Sequence, residues 1–536
     1  MEHIIMLPLK NNILTLEPST HGSLIRMTSQ MYDIPESEIL DLSANLNPLG
    51  SPFDNQEGGP DVNQEYGLDM DELMQRSLET IGHYPDNRYM EFRRSAAHFV
   101  DMGVKAQHIV AGNGSCEIIR LVTECVLEEG DMVLIPQPTF AEYEQQSRIA
   151  GAVIRHHPLE YMFNIPTDLL TDVKIVFVCN PNNPTGELIP RSKLIELADR
   201  CAASDTLLFV DEAFIELADP EQSIADVAAS NDHVFVLRSL TKDFALPGIR
   251  VGFGVTSVAM ADALNTARLS WNLGSLPDVV GCALLGMEGG CNSPYLIESR
   301  EFIRTEREYL IERLSDIYGF EPMPSSVNYV LVDVSGLLMD SVELTQRLAS
   351  HGILVRDCSS FYSYNEEHAE MATRPHGCCS PASLQDIHDK DYIRVAVRPR
   401  QETDRLITII GEVLTESGKE YAEEKLKQTI ENASSGTPSS RNTCEYYPCH
   451  FQGQDCTFCF CPFYPCEDEA TGGRWIDSTT GGKVWSCEGC TIVHHPDVVH
   501  QILDILMEEG TTEDNLAKAW KEVIVPRLLH SSFQEY

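Results

Sequence analysis

Three apolar runs set the terms for the first half of this chain: "MVLIP" at 132–136, "VKIVFVCN" at 173–180 and "TLLFVDEAF" at 206–214. Each reads as a strand buried on both faces, the pattern of a parallel sheet. Amphipathic stretches with helical spacing accompany them, among them "RSKLIELADRCAAS" (191–204) and "SREFIRTEREYLIERLSDIYG" (299–319). From about residue 38 to 415 the two kinds of segment alternate, which predicts an α/β fold. After "YIRVAVRPR" (392–400) a helix-like "ETDRLITIIGEVLTES" would close the unit.

The chain has 536 residues, too many for one core, so two or three domains are expected. Residues 416–443 turn charged and then rich in Ser, Gly and Pro, the signature of a helix passing into a linker. A cysteine-rich piece follows from 444, and a stretch with the spacing of two helices ends the chain, so that 444–536 forms a separate small domain. Residues 363–391 read as an irregular insertion.

Charge narrows the function. Acidic residues number 82 against 39 basic ones, a formal net charge of −43, which argues against nucleic acid or an anionic membrane as a partner. Such an excess suits a salt-screened interior. The N-terminus, "MEHIIMLPLKNNILTLEP", lacks the basic and apolar regions of a secretory signal, so a cytoplasmic location is expected.

Four separated stretches carry chemistry. "AGNGSCEII" (111–119) is a glycine turn entering a helix, where backbone N–H groups and the helix dipole can hold a phosphate. "NPNNPTG" (180–186) follows a buried strand directly, and "FVDEAF" (209–214) puts Asp211 at the C-terminal end of another, where α/β sheets form ligand crevices. "RSLTKDFALPGIRVG" (238–252) sets Lys242 between hydroxyl residues with Arg250 close behind. Taken singly, the lysine reads as a surface charge and Asp211 as an N-cap. Together, an amine, a buried carboxylate and an anion cradle suggest pyridoxal 5′-phosphate, which needs a Schiff-base lysine, an acid beside its ring nitrogen and a phosphate clamp.

With those motifs in place, residues about 20–415 resemble the fold-type I pyridoxal-phosphate enzymes of the histidinol-phosphate aminotransferase group. They are most similar to the threonine-phosphate decarboxylases of cobalamin synthesis. The resemblance implies a large domain with a mostly parallel sheet (about 51–294) and a small α+β domain (about 1–50 and 295–415). It makes Lys242 the Schiff-base lysine and Asp211 the partner of the ring nitrogen. Asn183 would meet the phenolic oxygen, and Phe140 would stack on the ring. Gly114, Ser115, Ser239, Thr241 and Arg250 would hold the phosphate, joined by Tyr84 from a neighbouring subunit of a homodimer. Arg394 would take the substrate carboxylate and Arg356 its phosphate. His21 of "THGS" and Asn47 of "LDLSANLNPLG" would lie over the substrate. Phe214 stands where many aminotransferases have Tyr, which removes one hydrogen bond to the cofactor. The implied reaction is loss of CO₂ from L-threonine O-3-phosphate to give (R)-1-amino-2-propanol O-2-phosphate, the alternative being a histidinol-phosphate aminotransferase-like transaminase.

Of seventeen cysteines, eight crowd between Cys444 and Cys490. Two Cys-x-x-Cys pairs, Cys456/Cys459 and Cys487/Cys490, would suit a four-thiolate zinc site. Cys444, Cys449, Cys461 and Cys466 add thiols beyond one zinc site and suit a second metal or an iron–sulfur cluster. The piece resembles a cysteine-rich small domain of archaeal proteins tied to cobamide metabolism. A metal staple for a small module, a redox cluster and a disulfide cage are the readings it leaves open. Its roles range from phosphorylating L-threonine, against which the absence of a Gly-x-x-x-x-Gly-Lys loop counts, to docking a cobamide-synthesis enzyme.

Overall fold

The computed structural model describes residues 11–14, 16, 24–53, 66, 68–361, 391–434, 447–480 and 483–531. The expected insertion at 363–391 falls, but for Asp391, outside them, as do His21 and Cys444. The chain divides into two compact units, Met1–Asp404 and Arg405–Tyr536.

The first unit is built on a seven-stranded sheet. Its strands are β1 (Ile109–Gly112), β2 (Met132–Gln137), β3 (Val153–Pro158), β4 (Val173–Cys179), β5 (Leu207–Asp211), β6 (Val234–Ser239) and β7 (Gly252–Val255), in spatial order β1-β7-β6-β5-β4-β2-β3. All three expected strands are present. In β4 only Lys174 is exposed, because helices cover both faces. The sheet is mixed, since β7 runs antiparallel to both its neighbours. That reversal brings Gly252 of β7 opposite Ser239 of β6 and Gly112 of β1, so three site-bearing loops leave one end of the sheet together.

Helix α1 (Ser115–Val126) follows β1, α2 (Glu142–Ala150) follows β2, and α3 (Arg191–Ala203) covers the sheet after β4. The long α4 (Pro294–Ser315) begins on the proline at its first turn, where a missing N–H costs nothing. Beyond it lies a smaller antiparallel sheet in which β8 (Tyr329–Asp333) pairs with β10 (Tyr392–Ala396), and β10 with β9 (Arg356–Asp357).

Helix α5 (Arg400–Ser434) continues through most of the expected linker. After Gly418 the segment holds good helix formers and no proline, and Leu426 and Ile430 pack on the apolar cluster of the second unit. In that unit a hairpin, β11 (Arg474–Asp477) and β12 (Lys483–Ser486), precedes α6 (Pro496–Leu506) and α7 (Thr512–Ala519), which runs through Trp520–Ile524 into Val525–Ser531. Phe458, Val498, Ile502, Val523 and Ile524 form its core.

Candidate active site

Strand ends converge on a cavity of about 660 Å³ lined by Lys242, Asp211, Asn183, Phe140, Ser115, Ser239, Thr241, Arg250, Arg356 and Arg394. Nine residues expected from four motifs and two later strands, together with Phe140 from the turn before α2, therefore share one pocket. Every described residue that lines it belongs to the first unit.

At one end the backbone makes an anion cradle. Gly114 caps α1 with φ +78°, and a Cβ there would meet the Arg250 guanidinium at 2.5 Å. The guanidinium thus lies directly over the turn, with the first N–H groups of α1 and the macrodipole beneath it. The hydroxyls of Ser239 and Thr241 stand 2.8 Å apart beside it. Glu117 secures the turn from below, accepting hydrogen bonds from Asn113 N and from Asn272 Nδ2 at 2.7 Å.

At the other end Asp211 is 3% exposed. Its Oδ2 accepts from the Tyr143 hydroxyl at 2.7 Å and its Oδ1 from Ala213 N at 3.0 Å. Burial pushes its carboxyl up to about 6, against the lowering effect of those two donors. Between the ends, Lys242 is lowered to about 8, first by burial and then by the charges of Arg394 and Arg250. An amine so depressed is neutral often enough near neutral pH to attack an aldehyde.

The loop at 180–186 shows why it needs its asparagines. Asn180 Oδ1 accepts from Ile189 N at 2.7 Å, and Asn182 Nδ2 donates to Pro138 O at 3.0 Å. Those two build the loop, and Asn183 is left to line the pocket, where its Oδ1 accepts from Arg394. Gly186 turns the chain at φ +72°, where a Cβ would overlap Ser325.

Arg356 and Arg394 are cross-strand partners on β9 and β10, so both guanidiniums lie on one side of that sheet. The Phe361 ring lies 5.4 Å from the first and 6.0 Å from the second. Arg394 also donates to Ser43 O at 2.8 Å, and its Nε has no partner among the described residues. A buried donor without an acceptor marks where a ligand anion is wanted.

Two expected residues sit elsewhere. Asn47 does not line the pocket: its Nδ2 is within bonding distance of Asp243 O (2.8 Å), Ser299 Oγ (2.8 Å) and Tyr295 Oη (3.0 Å), and its N–H donates to Lys242 O. It pins the 41–50 strap to the backbone that carries the lysine, and Asn45, whose buried Oδ1 has no partner among the described residues, lines the cavity instead. Tyr84 is 78% exposed, stacked on Trp271 with centroids 4.3 Å apart, and is not among the residues that line this cavity. Sequence reasoning missed Tyr143, Ser43 and Phe361, and ranked Arg398 as a weaker anion anchor than Arg394 and Arg356; it too lines the pocket. Arg398 braces the strap through Asp41 O (3.0 Å), Ala44 O (3.3 Å) and Leu46 O (3.4 Å). Tyr143 alone had a readable signal, three residues after Phe140 and so one helical turn away.

The class I and II aminotransferase profile matches residues 38–374, more than half of the chain. This chain belongs to that family. A histidinol-phosphate aminotransferase of Thermoanaerobacter pseudethanolicus is 34% identical over 58% of the chain and 85% of its own length. The threonine-phosphate decarboxylase of Salmonella typhimurium is 29% identical over 74% of the chain and 97% of its own length. The crystal structure of the Clostridium acetobutylicum histidinol-phosphate aminotransferase, 25% identical, superimposes with a TM-score of 0.57 over 70% of the chain and all of its own. Family members are pyridoxal-phosphate enzymes, and the residues here fit that group: a cradle closed by Arg250 over Gly114, a depressed amine, and a buried carboxylate held by two donors. When bound, the cofactor supplies an aldehyde carbon and an electron-withdrawing ring. The described part contains no helix long and apolar enough to cross a membrane.

The second unit matches a family described as a cysteine-rich small domain at 437–516. Its two Cys-x-x-Cys pairs do not join as expected. Cys456 is linked to Cys449 through Gln454 Nε2, which lies 3.1 Å and 3.0 Å from the two sulfurs. Cys487 and Cys490 instead lie within electrostatic reach of Cys466 and Cys461, and burial together with those thiols pushes Cys461 up to about 12. Cys459 belongs to the first of these neighbourhoods by its chain position, where its N–H donates to Cys456 O. Among the described residues no group of three or more Cys, His, Asp or Glu side chains is arranged to hold a metal ion, so the zinc or iron–sulfur site is not assembled by the residues as placed.

Proposed function

We propose that this enzyme decarboxylates L-threonine O-3-phosphate to (R)-1-amino-2-propanol O-2-phosphate, the phosphorylated linker of cobamides. The observation that carries this reading is the pairing of Arg356 with Arg394 across adjacent strands on the wall of the pocket. Side chains opposite one another in such a pair lie about 5 Å apart at Cβ, which suits two anionic groups borne on neighbouring carbons. Threonine phosphate carries its carboxylate and phosphate in that way, and a guanidinium binds either through paired hydrogen bonds.

In this reading Arg394 takes the carboxylate and Arg356 the phosphate. Lys242 holds the cofactor and serves as the proton donor at the substrate carbon once CO₂ has left. Phe214, edge-on to Tyr329 at 5.2 Å, adds bulk to the pocket wall and no hydroxyl. The relative from Salmonella supports the assignment across most of both chains. Histidinol-phosphate aminotransferases are numerous among the similar proteins, so transamination is the second reading. Histidinol phosphate has no carboxylate to offer Arg394, and that reading needs glutamate to fill the site in the other half-reaction.

The enzyme acts as a homodimer in this proposal. Tyr84, Ile81 and Leu269 are all more than 70% exposed, and a second copy would cover them while bringing Tyr84 to its phosphate cradle. A threonine kinase step has no Gly-x-x-x-x-Gly-Lys loop in the sequence to support it, so the proposal ends at decarboxylation.

The test is direct. The purified chain, loaded with pyridoxal phosphate, is given threonine phosphate, and separately histidinol phosphate with 2-oxoglutarate. Release of CO₂ from the first is expected. Glutamate from the second, with no CO₂ from the first, makes the enzyme a transaminase.

A further inference from the structure

Tyr143 is placed with more care than packing requires. Its ring is fully buried and stacks on Phe177, with centroids 4.9 Å apart and planes 10° apart. Phe140 meets it edge-on at 5.6 Å, and Phe209 lies at 6.4 Å. A hydroxyl inside such an aromatic layer must find an acceptor or lose its hydration uncompensated. The acceptor it finds is Asp211 Oδ2, at 2.7 Å.

The other carboxylate oxygen accepts from Ala213 N at 3.0 Å. Each oxygen has two lone pairs, so Asp211 can still accept from the cavity it lines. Resting on the reading that Asp211 meets the cofactor's ring nitrogen, we infer that Tyr143 is a positioning residue whose hydroxyl holds Asp211 ionised and fixed, so that the proton between carboxylate and ring stays on the nitrogen. No covalent bond changes. One proton sits either on the ring nitrogen or on an Asp211 oxygen, and the hydrogen bond from Tyr143 favours the first by stabilising the carboxylate anion.

The surroundings of Asp211 give this bond its weight. Burial raises the carboxyl's affinity for a proton, the bonds from Tyr143 and Ala213 lower it, and the Glu212 charge raises it again. The Asp211 charge in turn acts on the thiols of Cys179 and Cys116 and the phenol of Tyr329, and burial together with it shifts all three up, so they stay neutral beside it. No lysine or arginine is among the causes of its shift. With no lysine or arginine charge among those causes, the two donors are what the described residues offer the anion, and Tyr143 is the one whose removal leaves the backbone intact. A hydrogen bond to a charged group shifts such a proton equilibrium by about tenfold to a hundredfold.

The experiment uses the full chain loaded with pyridoxal phosphate carrying ¹⁵N in the ring. The nitrogen resonance distinguishes a protonated ring from an unprotonated one without reference to turnover. At about pH 8 the unmodified enzyme is expected to show a protonated ring and Tyr143→Phe a resonance moved towards the unprotonated position, with kcat down tenfold or more and KM changed less. Phe keeps the stack on Phe177, and near-ultraviolet circular dichroism of the cofactor-free variant checks that it folds. Tyr143→His, which restores a neutral donor, is expected to bring the nitrogen signal part of the way back. Identical resonances in the unmodified enzyme and Tyr143→Phe overturn the inference, and so does a His variant no different from Phe. An unprotonated ring already in the unmodified enzyme overturns it differently, by removing the Asp211 contact on which it rests.

Discussion

The depressed amine of Lys242 makes capture of the cofactor depend on pH in a way an ordinary lysine would not. Burial lowers it to about 8 from 10.5, with the charges of Arg394 and Arg250 adding to the effect. Only the neutral amine attacks an aldehyde. At about pH 7, roughly one chain in ten has it neutral, against about one in three thousand for an unshifted lysine. Raising the pH from about 6.5 to about 9 should carry the neutral fraction from about 3% to about 90%, a thirtyfold rise that levels off. The assay mixes cofactor-free enzyme with excess pyridoxal phosphate and follows the change in visible absorbance. A rate that climbs and reaches a plateau above about pH 8.5 is expected. Arg394→Gln removes the second-largest cause, and its profile should shift to higher pH. A rate still rising tenfold per pH unit beyond pH 9 would show that the amine keeps its ordinary basicity and refute the account.

Three further expectations follow from separate features. Gly114→Ala places a methyl where the Arg250 guanidinium lies and demands φ +78° of an alanine, so affinity for pyridoxal phosphate in equilibrium dialysis should fall by about tenfold or more, while Gly130→Ala, also at positive φ but in open space, leaves it unchanged. Burial raises Glu144, but its bonds to His156 and Arg148 outweigh that and take it down to about 2 from 4.5. Its folded pKa is depressed, so its contribution, about 3 kcal/mol, is present above pH 4.5 and lost as pH falls towards 2, and thermal melting of Glu144→Gln should show a shallower loss across that window. Ending the chain after Ser434 removes no residue of the pocket, so cofactor capture and turnover should stay within about twofold; a larger loss means the pocket depends on the second unit.

Much of this protein is local in origin and therefore visible in the sequence. A strand buried on both faces has to be apolar along its whole length, and "VKIVFVCN" shows it. An anion cradle needs a glycine turn running into a helix, and "GNGS" shows that. The chemistry of Lys242, Asp211, Asn183 and Arg250 was legible because each occupies the end of a strand or the turn beyond one. The tertiary structure alone decided what depends on where separate segments meet. It turned Asn47 towards Asp243, Tyr295 and Ser299 and left Asn45 lining the cavity, since one residue of a strap faces the core and another the ligand. It gave Asp211 its phenol donor from a helix 68 positions earlier in the chain. It also sorted the cysteine pairs into two neighbourhoods that spacing had joined, because thiols at one interval can fold towards different partners. Pattern records what a residue needs from water and backbone; which neighbour supplies it is fixed only when the chain closes on itself.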